Sequence, residues 1–93
     1  MVVTILLIKL RAPWVHSLKE KRSEVQSLIQ KTRSRFNASI IEADLQDVHQ
    51  EFVLGIAYAS GSNQIADSMM EQVVSFIEEN TDAEVLEVSQ EKV

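Results

Sequence analysis

Val2-Val3-Thr4-Ile5-Leu6-Leu7-Ile8-Lys9-Leu10-Arg11 decides how this chain folds. The β-branched start and the later alternation read as a strand. Leu6, Ile8 and Leu10 share one face; Leu7, Lys9 and Arg11 share the other. Apolar residues near its middle point both ways, which demands neighbours on both sides and predicts a central strand. Pro13 ends the strand and biases Ala12 to an extended backbone.

Outward from that strand, Ser17 predicts a helix N-cap, and Glu20 completes a capping box. Leu18, Val25, Leu28, Ile29, Thr32 and Phe36 form one stripe at helical spacing, with Asn37 as a stop signal. Ala38–Leu45 and Glu51–Ser60 read as two strands joined by the polar loop 46–50. Gly55 inside the later strand predicts close approach of another backbone or a helix. Gly61-Ser62-Asn63 opens a second helix, whose apolar face carries Ile65, Ala66, Met69, Met70, Val73, Val74 and Ile77 up to about Asn80. Glu84–Val88 alternates as a last strand.

The element order is β-α-β-β-α-β. Short connections and right-handed crossovers then predict an α+β, ferredoxin-like domain over residues 1–93. Its four-stranded antiparallel sheet has the order 4-1-3-2, with both helices on one face. The opposite face has no helix to cover it. Leu7, with Val53 or Phe52 according to register, is expected there, which suits a dimer or a docked partner.

Composition narrows the functional classes. The 93 residues contain no cysteine, which excludes disulfides, thiol nucleophiles and thiolate metal sites. The run Val2–Ile8 is too short to span a membrane and lacks a preceding cationic segment, so neither a membrane anchor nor a signal peptide is expected. A cytoplasmic protein is the expectation. The net charge of −5 argues against a general nucleic-acid coat, yet its distribution is lopsided. Residues 1–36 carry +6 and residues 37–93 carry −11.

That cationic third centres on Ser17-Leu18-Lys19-Glu20-Lys21-Arg22, where a helix start prefers anions. Lys19, Lys21 and Arg22, with Arg11 from the preceding strand, are the candidate anion or RNA contacts. Trp14 in the intervening loop is a candidate for stacking on a base. The structural alternative has Arg22 reaching Glu42 or Asp44 as an ion pair, and Trp14 plugging the core edge. Glu42, Asp44, Asp47, His49 and Glu51 form an acidic run that matches no calcium loop; turn formation and edge protection are the expected roles, and no metal is assigned. There is no phosphate loop, dinucleotide fingerprint or nucleophile elbow, and hence no expected cofactor or enzymatic activity. The aromatic-rich third strand of an RRM and the GXXG loop of a KH domain are also missing.

Several blocks resemble the bacterial YlxP-like family: Ser-Leu-Lys-Glu-Lys-Arg at 17–22, Arg-Phe-Asn at 35–37, Glu-Ala-Asp-Leu-Gln-Asp at 42–47 and Leu-Gly-Ile-Ala at 54–57. The resemblance covers nearly the whole chain and implies the same ferredoxin-like fold. It implies no catalytic residues, since the family is of unknown function. Its members are often encoded beside translation and ribosome-maturation factors, which implies a ribosome or RNA link by association. Related sequences often have glycine at the position of Trp14 and a large aromatic residue at that of His49. The leading expectation is therefore a non-enzymatic RNA- or ribosome-associated module using Arg11, Lys19, Lys21 and Arg22, extended by Arg33 and Arg35. The second is a protein-interaction or ligand-sensing dimer built on the open sheet face.

Overall fold

The central strand organises everything else. In the computed structural model, which describes residues 1–93, β1 (Val2–Arg11) pairs antiparallel with β3 (Glu51–Ser60) on one side and β4 (Glu84–Lys92) on the other. β2 (Ser39–Asp44) pairs with β3, giving the order β2-β3-β1-β4. Read from the other edge, this is 4-1-3-2, the predicted order.

The alternation of β1 and β3 splits their side chains cleanly. Leu6, Ile8 and Leu10 of β1 and Phe52, Leu54 and Ile56 of β3 are buried beneath the helices. Helix α1 (Leu18–Arg35) and helix α2 (Asn63–Glu79) cover that face and no other. The Ser17 hydroxyl accepts from the Glu20 amide at 3.1 Å, while a Glu20 carboxylate oxygen accepts from the His16 amide at 3.3 Å. The box thus closes one residue before the cap. Ser62 caps α2 in the same way, accepting from the Ile65 amide at 3.2 Å. Val25, Leu28 and Ile29 from α1 and Ala66, Val73 and Ile77 from α2 complete the core.

Boundaries depart from the sequence reading in β2, which is one residue shorter at each end than 38–45, and more clearly in α1 and β4. Helix α1 stops at Arg35 because Phe36 turns extended and sets its ring edge-on to Phe76 of α2, centroids 5.5 Å apart. Strand β4 runs four residues beyond Val88, to Lys92. Its pairing with β1 is carried by backbone groups, and its end is held by Lys92 against Asp67 of α2 at 2.6 Å. A shift in register at Lys9/Leu10 leaves Leu86 without a partner on β1, a bulge that bends this edge.

Candidate functional site

Lys21 is the first surprise of the SLKEKR block. It lies four residues before Val25 and therefore on the buried stripe of α1, with no exposed surface at all. An ammonium has three hydrogens to donate. All three go to backbone carbonyls of the β2–β3 connection: Leu45, Val48 at 2.6 Å and Glu51 at 3.1 Å. Glu42 supplies the countercharge, its Oε2 lying 3.1 Å from Nζ. That oxygen makes no aligned hydrogen bond and contributes by charge alone.

The arrangement explains the loop. Leu45 has φ 63°, a left-handed backbone that costs a non-glycine residue about 1–2 kcal/mol. Its carbonyl is one of those gripped by Lys21. The neighbouring loop is tied in as well: the Gln50 side-chain amide donates to Pro13 O at 3.0 Å and Val15 O at 3.2 Å. Two loops and the start of α1 are thereby tied together at one end of the molecule.

Among the expected anion contacts, Lys21 must therefore be withdrawn. Its charge is consumed inside the fold and cannot reach a phosphate. The ion pair to Glu42 assigned to Arg22 is made by Lys21 instead. Lys19, Arg22 and Arg11 are exposed. Arg11 stands in register between Glu51 and Glu84 on the sheet. Arg33 donates to Ile40 O at 3.0 Å and staples α1 to β2, while Arg35 lies over the Phe36 ring at 5.3 Å.

Trp14, 38% exposed, lines a cleft with Glu24, Lys31, Glu79 and Asp82. With 3.6 residues per turn, Lys19 and Arg22 leave α1 on the opposite flank from Glu24 and Lys31. The structure thus does not join Trp14 to those cations; the cleft beside the ring holds three carboxylates and one cation, Lys31. The acidic run does not converge either. Glu42 faces the helices, whereas Asp44 and Glu51 face the open side of the sheet.

The open face is the larger feature. Its rows run straight across the four strands. One row is Ile41, Gly55, Leu7 and Ser89; the next is Ser39, Ala57, Ile5 and Glu91. Beyond the first, on the other side, stand Asp44, Val53, Lys9 and Glu87, and then Glu51, Arg11 and Glu84. Register thus selects Val53, not Phe52, for this side.

Ile5, Leu7 and Ile41 are 37%, 43% and 60% exposed. They rim a shallow apolar hollow of ≈ 280 Å³ whose floor is Gly55, Ala57 and Ala43. A Cβ at Gly55 would stand 3.0 Å from the Ala43 Cβ and 3.8 Å from Leu7 Cδ2. The glycine therefore serves close approach of a neighbouring strand's side chain, not of a helix, and it keeps the floor flat. A second hollow of ≈ 320 Å³ continues from Leu7 and Ala43 toward Lys9, Asp44 and Glu87. Sequence reasoning found Leu7 here but missed Ile41 and Ala43; strand alternation from Ile40 would have placed both.

A family model described as "Protein of unknown function (DUF503)" matches residues 3–90. The chain belongs to that family. A curated relative, "Uncharacterized protein YlxP" from Bacillus subtilis (strain 168), is 36% identical over 62 residues, which is 67% of each chain. The YlxP-like resemblance is thereby established. A solved structure titled "Structural Genomics, protein YJCS" superposes with a TM-score of 0.61, covering 98% of both chains at 12% identity. At that identity it speaks for the fold only. No helix in this DUF503 member is long and apolar enough to cross a membrane.

Proposed function

We propose that this protein is a non-catalytic binding module whose working surface is the uncovered face of the sheet. The observation that carries this reading is the contiguous strip of Ile5, Leu7 and Ile41 around the flat floor at Gly55. Aliphatic carbons offer no acid–base or nucleophilic chemistry; what they offer is the displacement of water by a partner. Large apolar groups left in water together, rather than scattered, mark such surfaces. The RNA reading keeps Arg11, Lys19 and Arg22 as surface cations but has lost Lys21, and Arg11 sits between two glutamates. It ranks second.

The test places a photo-crosslinking residue at Ile41 on the face, or at exposed Gln26 on α1, in living cells. A discrete adduct from position 41, removed by a further Leu7→Ser change and not given by position 26, is the expected result. Equal crosslinking from both positions overturns the reading.

A further inference from the structure

The open face is apolar in the middle and acidic around it. Five carboxylates stand on it, Asp44, Glu51, Glu84, Glu87 and Glu91, against the two cations Lys9 and Arg11. Lys9 is already engaged by Glu51 at 3.5 Å. Glu84, Glu87 and Glu91 form a column along β4, and Asp44 stands at the opposite edge, on β2. None of these four makes an ion pair within the molecule, although Glu84 has Arg11 beside it in register; Asp44, Glu87 and Glu91 are the carboxylates left to a partner.

Building on the reading of this face as a docking surface, we propose that its occupant is a basic protein segment. Apolar side chains of that segment lie over Gly55 and Ala43, between Leu7 and Ile41. Its Lys or Arg side chains reach the β4 column on one side and Asp44 on the other. The hollow that begins at Leu7 and Ala43 ends at Asp44 and Glu87, with Lys9, already engaged by Glu51, between them: carbon first, then charge with carboxylates in excess.

Charge also ranks the other occupants. Two copies stacked face to face by a two-fold axis bring the β4 column either onto itself or onto the Asp44 edge, and both set carboxylate against carboxylate. A nucleic acid would set phosphates against the same groups.

Amide chemical shifts of the isotope-labelled full chain provide the test. The probes are an octapeptide alternating Ile and Lys, its Ile/Glu counterpart and a structured RNA hairpin, each titrated at low and high salt. The Ile/Lys peptide is expected to shift the amides of Leu7, Ala43 and Gly55, to weaken as salt rises, and to lose affinity by about two- to fivefold in Glu87→Lys. Leu7→Ser is expected to abolish its binding, and sedimentation is expected to show a monomer. Equal binding of the Ile/Glu peptide at these amides overturns the basic occupant while leaving the docking surface standing. A dimer closed through this face, or RNA shifting these amides, overturns it as well. A monomer whose face responds to none of the probes overturns both.

Discussion

Lys21 and Leu7 sit in each other's natural places. One is a cation with no exposed surface; the other is an aliphatic side chain 43% open to water. The first inversion is resolved within the molecule, since three carbonyls and one carboxylate account for the whole ammonium. The second has no internal resolution. Nothing in the chain covers Leu7, and the flat floor beside it keeps the surface open. A broken rule that the fold repairs is structural, and one that the fold leaves unrepaired points outward.

Removing Lys21 is the strongest way to probe this contrast. Lys21→Ala leaves Glu42 and three carbonyls without their partner, and a loss of about 3–5 kcal/mol is expected in urea unfolding. The double change Lys21→Met/Glu42→Leu should recover part of that loss, while amide exchange in loop 45–50 should still be faster than in the parent chain. If Lys21→Ala were as stable as the parent, Lys21 would return to the pool of surface cations.

The neighbours Leu6 and Leu7 sharpen the other half. Leu6→Ala is expected to cost about 2–5 kcal/mol, because it opens a cavity under the helices. Leu7→Ala should cost less than about 1 kcal/mol in the same measurement. Similar losses at both positions would mean that Leu7 is part of a core after all.

Gly55→Ala tests the floor between them. The new methyl meets the Ala43 Cβ at 3.0 Å, a contact between two short side chains with little freedom to yield. A loss of about 1 kcal/mol is expected, read from the urea midpoint. A stabilised variant would show that flatness is not what the glycine provides.

The smallest effect lies far from both residues. Hydrogen bonds from Lys92 and Gln90 hold the Asp67 carboxyl below its ordinary range. A depressed carboxyl stabilises the fold above its unfolded pKa and loses that contribution as pH falls through the folded value. Lys92→Ala should raise the Asp67 titration midpoint seen by NMR and weaken the acid dependence of stability. Tyr58 has the opposite sign. Burial raises its phenol, whose hydroxyl donates to Ala66 O at 2.9 Å, so stability should fall as pH rises past about 10.

Much of this architecture could be read from local pattern. The alternation of β1 named its two faces, Ser17 and Ser62 announced both helices, and the apolar middle of β1 fixed its central position. Register, and hence Val53 on the open side, needed the partner strand. The tail of β4 carried no side-chain signal, because Ser89, Gln90 and Glu91 are held by backbone pairing at an edge. Lys21 was misread for a different reason. Its spacing to Val25 put it on the buried stripe, but nothing nearby in sequence shows carbonyls 24 to 30 residues later converging on it. The strip at Ile5, Leu7 and Ile41 was half visible, as Leu7 alone, until the strands were laid side by side.

The grip of Lys21 on Leu45 has a bearing on how the hairpin and the first helix depend on each other. A β2–β3 hairpin on its own would hold its left-handed leucine only through the Leu45 amide on Asp44 Oδ1 at 2.8 Å and the Val48 amide on Leu45 O at 3.0 Å, and would leave Glu42 without its countercharge. The Lys21 ammonium adds a grip on three carbonyls of that bend from the first helix. The bend and the helix that precedes it therefore share one buried charge, and the stability of each is coupled to the other.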